Sequence, residues 1–150
     1  MQLLTTTIRK SLNPAYLKLK PSREEIELFK RELIQLLDRI NEQESEEHHK
    51  NQVIEFLNAV YYKNNHYINT KGKSDLVIHN GKEPNSPVGV LIEAKKPANK
   101  AEMISKDNIN VKSFQELFGY SQRELKTLKN FKFDYFFFPI ISIGFFFVFR

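Results

Sequence analysis

Two stretches decide the fold of this chain: Asp75-Leu76-Val77-Ile78-His79-Asn80-Gly81 and Val88-Gly89-Val90-Leu91-Ile92-Glu93-Ala94-Lys95. Their β-branched and aliphatic residues predict two β-strands. The Asn80-Gly81 pair after the first strand is a strong hairpin signal, because both turn positions favour a positive φ. The second run is apolar over most of its length, which is typical of a strand buried on both faces. The two strands are therefore predicted to pair as an antiparallel hairpin.

Three helices are predicted around this hairpin, over about residues 22–40, 46–62 and 111–128. The first begins at a capping box, in which Ser22 and Glu25 satisfy each other's unpaired backbone donors. In all three segments the apolar residues recur at helical spacing. Residues 1–21 are predicted to be an extended lead-in. We expect an α/β fold in which a mixed central β-sheet is flanked by α-helices.

Three polar residues occupy the ends of the two predicted strands. Asp75 opens the first strand, whereas Glu93 and Lys95 close the second. Side chains alternate across a strand, so Glu93 and Lys95 face the same side, while Ala94 faces the other. Antiparallel pairing brings the start of one strand beside the end of its partner. We therefore expect the three polar groups to converge at one end of an otherwise apolar hairpin.

These residue types suit metal-dependent hydrolysis of a phosphodiester bond. The carboxylates of Asp75 and Glu93 and the backbone carbonyl of Ala94 are the hard oxygen ligands that Mg²⁺ prefers, and they suit Mn²⁺ as well. A bound metal polarises the phosphate and helps to generate hydroxide from water. The Lys95 ammonium orients that water or stabilises charge on phosphorus. The plainer alternative is a turn cap, an exposed strand end and a solvated lysine.

A further metal ligand is predicted on the second helix. Glu46 precedes Val53 by seven residues, which is close to two helical turns, so it is aligned with the apolar stripe of that helix. Glu47 and Glu55 point away from the centre of the stripe. The sequence does not decide which of the three glutamates is the ligand. A glutamate in the first turn also suits the helix dipole without any further role.

The net charge of +5 is spread unevenly along the chain. Residues 1–50 hold nine basic and nine acidic residues, whereas residues 51–150 hold fourteen basic and nine acidic residues. A basic surface attracts polyanions such as double-stranded DNA, although a merely soluble basic protein can have the same composition. The candidate DNA contacts on this basis are Lys71, Lys73 and Lys96.

Two further observations bear on the compartment. The chain has no cysteine, which excludes disulfides and thiolate metal sites. Its N-terminus has neither a basic start nor a sustained apolar stretch, so it does not have the form of a signal peptide. We expect a cytoplasmic protein that does not associate with a membrane.

The order of Asp75 and then Glu93-Ala94-Lys95 resembles the motif of the PD-(D/E)xK nuclease superfamily, with Ser74 in place of the usual preceding proline. Residues 69–82, 87–97 and 99–103 look like the N-terminal nuclease region of type IIG restriction–modification enzymes. This resemblance covers about residues 10–130. It implies a restriction-endonuclease-like fold and cleavage of double-stranded DNA by the three motif residues. Related nucleases often place DNA-contacting polar groups on the following helix, so the resemblance also implies Gln115 as a candidate DNA contact, and Tyr120 is the alternative. Cutting both strands usually needs two active sites, which a dimer would supply.

The chain departs from that family in its composition beyond the nuclease region. A methyltransferase and a target-recognition region follow the nuclease in the family, but this chain has no Asn-Pro-Pro-Tyr motif and no Gly-rich nucleotide loop. We therefore assign residues 1–130 to a nuclease-like domain and residues 131–150 to a hydrophobic tail, which holds nine of the thirteen phenylalanines. The tail is either a buried hairpin or, as its abrupt low complexity favours, a non-native end of a truncated chain.

Two classes of function follow from the sequence. The first is a Mg²⁺-dependent endonuclease domain that belongs to a restriction–modification system. The second is a truncated, catalytically unproductive fragment that acts only as a basic DNA-binding module. Both classes predict salt-sensitive binding to DNA, and only the first predicts metal-dependent cleavage.

Overall fold

The computed structural model describes seven segments of the chain: residues 7–11, 14–71, 74–96, 98–105, 108–127, 137–140 and 145–149. Within them lie four α-helices, which are α1 (Ile8–Ser11), α2 (Arg23–Asp38), α3 (Glu46–Leu57) and α4 (Lys112–Thr127). The five strands are β1 (Tyr67–Lys71), β2 (Ser74–His79), β3 (Val88–Ala94), β4 (Phe137–Ile140) and β5 (Phe145–Phe149). The chain therefore has the α/β composition that the sequence predicts.

The three long helices begin where their sequence signals place them. At the start of α2 the Ser22 hydroxyl accepts a hydrogen bond from the Glu25 amide, and the Glu25 carboxylate accepts one from the Ser22 amide, so the predicted capping box is confirmed. Helix α3 begins after Ser45, whose hydroxyl accepts from the His48 amide, and it continues into a π-helical turn over Asn58–Tyr62. The predicted extended lead-in was wrong in part, because it contains α1 and a short 3-10 turn.

The strands form one sheet in the order β1-β2-β3-β5-β4. The predicted β2–β3 hairpin is confirmed, with residues 80–87 as its loop. Every pairing among the described strands is antiparallel, so the expected mixture of parallel and antiparallel pairs was wrong for them. For β1–β2 and β2–β3 the physical reason is connectivity, because short loops join these strands, and a short connection can only reverse the chain direction.

Strand β3 is the central strand of the sheet, and every one of its residues is buried, as its apolar sequence predicts. Side chains on one face pack against α2 and α3 in a first core cluster: Leu36, Val53, Leu57, Leu76, Ile78, Val90, Ile92 and Ala94. Side chains on the opposite face pack with α4 in a second core cluster: Val77, Val88, Leu91, Met103, Leu117 and Tyr120. Helices therefore cover both faces of the hairpin.

The hydrophobic tail contributes β4 and β5, and β5 pairs with β3. The tail backbone thus has the hairpin form that was one of its two interpretations. The interpretation of residues 131–150 as a non-native end stays a prediction. Among the helices that the structure describes, none combines the length and the apolar character needed to cross a membrane.

Two adjacent leucines of α2 test the packing of this helix on the sheet. Leu36 lies in the first core cluster, where it is 5% exposed, whereas Leu37 is 45% exposed. We expect Leu36→Ala to lower the free energy of unfolding by about 2–5 kcal/mol. Leu37→Ala changes the same residue type in the same helix and should cost no more than about 1 kcal/mol. Urea denaturation measures both, and equal losses would contradict this packing.

Candidate active site

The register of β2 and β3 brings Asp75 opposite Glu93. Leu76 pairs with Ile92, so the next position outward places Asp75 across from Glu93 on the antiparallel strand. Both side chains lie on the face of the sheet that α4 covers, because their neighbours Leu76 and Ile92 belong to the cluster on the other face. Ala94 also belongs to that other cluster, which leaves Lys95 on the same side as Glu93. The structure thus brings the three sequence-predicted residues together.

The Asp75 carboxylate is tied to both the hairpin and a helix. Its Oδ2 accepts a hydrogen bond from the backbone amide of Ala94 over 2.9 Å. Its Oδ1 lies 3.5 Å from the Nζ of Lys50, a residue of α3. The first contact holds the start of β2 against the end of β3, and the second links it to α3.

Lys95 lies between two carboxylates. Its Nζ is 2.5 Å from Oε1 of Glu93 and 3.2 Å from Oε2 of Glu116, which α4 contributes. Glu93 and Lys95 are both buried, so the Lys95 ammonium depends on its two acidic neighbours, Glu93 and Glu116, for compensation. Lys112 approaches the other oxygen of Glu116 at 4.0 Å from a more exposed position.

Burial raises the pKa of the Glu93 carboxyl to about 8, and the nearby charge of Asp75 and the carboxyl of Glu116 act in the same direction. The ammonium of Lys95 opposes this rise without cancelling it. Burial lowers the pKa of Lys95, but the hydrogen bonds and charges of Glu93 and Glu116 outweigh it and raise that pKa above its ordinary value. Lys95 therefore carries its charge at neutral pH, whereas the burial of Glu93 favours the protonated form of its carboxyl.

One oxygen of Glu93 is left for another partner. Its Oε2 is buried, and it accepts no hydrogen bond from the part of the chain that the structure describes. Within the described ranges no group of three or more acidic or histidine side chains is arranged to hold a metal ion. An ammonium group stands beside each of the carboxylates of Asp75 and Glu93.

Lys50 is the second lysine of the site. It is 9% exposed as a whole residue, although it is a lysine on a helix. Its Nζ lies 2.6 Å from Oε2 of Glu47 and 3.5 Å from Oδ1 of Asp75. Burial lowers the pKa of Lys50, but the hydrogen bond to Glu47 and the charge of Asp75 outweigh it and raise that pKa. Lys50 therefore remains an ammonium ion beside Asp75.

The three candidate glutamates of α3 lie in different surroundings. Glu46 is half-buried on the same side of the helix as Val53, as its spacing predicts. Glu47 is exposed but is linked to Asp75 through Lys50. Glu55 is exposed and pairs with Arg39 over 3.1 Å, away from the site. The structure therefore connects Glu47, rather than Glu46 or Glu55, to the strand residues.

The four candidate DNA contacts are described to different extents. Lys96 is exposed and directly follows Lys95. Gln115 is also exposed, and its side chain donates to Oδ1 of Asn110 over 2.9 Å, so it is engaged beside the site rather than in it. Lys71 ends β1, where its backbone pairs with Ser74, but its side chain lies outside the description. Lys73 lies outside the described residues.

Sequence reasoning missed Lys50 and Glu116, although a signal for each was present. Lys50 is three residues before Val53, on the apolar stripe of α3. Glu116 is three residues after the buried Ser113 and four before the buried Tyr120, on the covered side of α4. A charged residue aligned with an apolar stripe indicates a buried partner of opposite charge.

The chain is an α/β protein with an antiparallel sheet that helices cover on both faces. A buried cluster of carboxylates and lysines lies at one end of its central hairpin. The chain is a member of the family described as Domain of unknown function (DUF7149), whose model matches residues 6–150. The matched range includes all the site residues and also the hydrophobic tail. No curated protein and no solved structure matches the chain.

The raised pKa of Glu93 predicts how stability depends on pH in the metal-free protein. The protonated carboxyl is favoured in the folded state, so its stabilising contribution is fully present below pH 4.5 and is lost as the pH rises through about 8. We expect the free energy of unfolding to fall between pH 5 and pH 9 by on the order of 3 kcal/mol more in the wild type than in Glu93→Gln, which cannot ionise. Urea denaturation at the two pH values measures this difference. Parallel pH profiles for the two proteins would contradict it.

Proposed function

We propose that this chain is a Mg²⁺-dependent endonuclease domain that hydrolyses phosphodiester bonds of double-stranded DNA within a restriction–modification system. The observation that carries the proposal is the convergence of Asp75, Glu93 and Lys95 at one end of a buried hairpin. A sheet with helices on both faces supports the restriction-endonuclease-like fold that the motif implies. Under this proposal a methyltransferase and a target-recognition region act with the nuclease.

Two side-chain oxygens of the site would suit a divalent metal under this proposal. Glu93 offers Oε2, a buried oxygen that accepts no hydrogen bond among the described residues, and Asp75 offers Oδ1, whose contact with Lys50 is long. These two oxygens and the backbone carbonyl of Ala94 would hold Mg²⁺ or Mn²⁺, which prefer hard oxygen ligands. When bound, the metal would polarise the scissile phosphate and lower the pKa of its water.

The residues of the chain would then position the reacting groups. Hydrolysis forms a bond between a water oxygen and phosphorus, and it breaks the bond to the leaving oxygen, which takes up a proton. Lys95 is held by Glu93 and Glu116, so its ammonium has a defined position from which to orient the water or stabilise charge on the phosphate. Glu116 is a positioning residue in this scheme, because it contacts Lys95 rather than the substrate.

The basic surface supplies the affinity for DNA in this proposal. All of the net positive charge of the chain comes from residues 51–150, where fourteen basic residues stand against nine acidic ones. Lys96 is an exposed cation directly beside the buried Lys95. Contacts between such cations and phosphates position DNA without reading its sequence.

One observation favours the alternative function, a DNA-binding module that does not cleave. The site carboxylates stand beside ammonium groups, and no ready-made acidic metal cluster exists within the described ranges. Under this alternative the protein binds DNA in a salt-sensitive way, but it fails to nick a plasmid with either Mg²⁺ or Mn²⁺. Cleavage of plasmid DNA by the pure full chain therefore distinguishes the two functions.

Two neighbouring lysines provide a matched test of the catalytic set. We expect Lys95→Ala to lower the rate of Mg²⁺-dependent plasmid cleavage by about 100-fold or more, because a positioned cation is lost from the site. Lys96→Ala removes the same charge one residue away on an exposed side chain. At saturating protein it should retain most of the cleavage rate. Equal effects of the two substitutions, or cleavage that persists in Lys95→Ala, would contradict the assignment.

The same two variants test the electrostatic part of the proposal. We expect Lys96→Ala to weaken DNA binding and to reduce the slope of log K against log salt concentration by about 1, since one phosphate contact is lost. Lys95→Ala should leave that slope nearly unchanged, because the ammonium is already paired with Glu93 and Glu116. Fluorescence anisotropy with a labelled duplex at several salt concentrations measures both slopes. An unchanged slope in Lys96→Ala would remove Lys96 from the interface.

A further inference from the structure

Lys50 reaches the site from the face of the sheet opposite α4. Its helix, α3, packs through Val53 and Leu57 in the first core cluster, whereas Glu93 and Lys95 lie on the face that α4 covers. Its side chain nevertheless ends beside Asp75, at the strand end where the two faces meet. A cation from one layer of the fold thus enters a site that is built mainly on the other layer.

We propose that Lys50 is a built-in competitor of the divalent metal: its ammonium holds Oδ1 of Asp75 in the metal-free protein and must withdraw when the metal binds. This inference rests on the proposed metal site. Lys50 would therefore set the affinity of the site for Mg²⁺ or Mn²⁺ without taking part in the reaction.

The contacts of Asp75 show why the two cations would compete. Oδ2 of Asp75 accepts a 2.9 Å hydrogen bond from the Ala94 amide, so Oδ1 is the less engaged oxygen of this carboxylate. Among the residues that the structure describes, Lys50 is the cation at that oxygen. A metal bound there would face a like charge in a half-buried place, where water screens the repulsion weakly.

The contacts of Lys50 show how it could withdraw. Its Nζ is 2.6 Å from Glu47 but 3.5 Å from Asp75, so the contact within the helix is the shorter one. Glu47 is exposed, and it lies on the same helix as Lys50. Lys50 can therefore give up Asp75 and keep a partner of opposite charge near the surface. A buried lysine with a single partner would have no such alternative.

A second ion pair in the chain shows what an ordinary pair of this spacing looks like. Lys30 and Glu27 on α2 are also three residues apart, but their side chains are 59% and 56% exposed. The side chain of Lys50 is 11% exposed, and a second carboxylate contacts it from a different element. A lysine that only stabilises its helix needs neither this degree of burial nor a second carboxylate partner.

The test is direct metal binding by the full chain without DNA. Mn²⁺ titration, followed by electron paramagnetic resonance and by calorimetry, gives a Kd for the wild type, Lys50→Met and the matched control Lys30→Met. We expect Lys50→Met to bind Mn²⁺ about tenfold more tightly or better, because a like charge is removed from the site, and Lys30→Met to match the wild type. Mn²⁺ should also raise the Tm of Lys50→Met by more than it raises that of the wild type.

The outcomes separate this inference from the proposed function. If Asp75→Asn abolishes Mn²⁺ binding while Lys50→Met binds as the wild type does or more weakly, the role of Lys50 is overturned and the metal site stands. If no variant binds Mn²⁺, both are overturned. If Lys50→Met binds more tightly but neither protein cleaves DNA, the inference holds and the nuclease proposal fails. Lys50→Gln, which is neutral but polar, replaces Lys50→Met in each comparison if the methionine variant does not fold.

Discussion

A carboxyl group at the buried end of the central strand constrains the rest of this molecule. Glu93 lies where an apolar side chain would be expected. A carboxyl group in such a buried place is costly unless it is protonated or paired with a cation. Lys95, the residue that directly follows this strand, donates a hydrogen bond to Glu93, and Glu116 provides a counter-charge for that lysine from α4. Glu116 reaches Lys95 only when α4 packs on the sheet in this position. The arrangement of charges and the packing of the helix therefore depend on each other.

The two faces of the hairpin have different roles in this protein. The face toward α2 and α3 is apolar along its whole length and ends in Ala94, so it serves stability. The face toward α4 is apolar in its middle, at Val77 and Leu91, and becomes polar at its end. From Val90 to Ala94 the side chains alternate between the two faces, so one strand serves both purposes. Nearer the start of β3 an irregularity in the pairing breaks the alternation, because Val88 shares the α4 face with Leu91. Lys50 departs from this division between the two faces, since its helix packs on the apolar face while its side chain ends beside Asp75, at the polar end of the other face.

Much of the architecture could be predicted because its signals are local. The capping box of Ser22 and Glu25 and the period of apolar residues in the helices each act over a few residues. The β2–β3 hairpin was also predicted, but residues 80–87 join its strands as a longer loop, in which Gly81 does not take the positive φ of a two-residue Asn-Gly turn. The convergence of Asp75, Glu93 and Lys95 could also be predicted, since alternation and antiparallel pairing follow from those local elements. The antiparallel pairing of β5 with β3 could not, because it joins residues more than fifty positions apart and no local pattern encodes it.

The sequence by itself determined which residue types stand at the end of the hairpin, and with them the kind of chemistry that the site can support. Only the tertiary structure decided how their charges are compensated. It selected Glu116 rather than the neighbouring Gln115, and it connected Glu47 rather than Glu46 to Asp75 through a buried lysine. The physical reason is that charge compensation depends on distances of a few ångströms between elements. Those distances are set by the rotation and packing of α3 and α4 on the sheet, which a helical period alone does not specify.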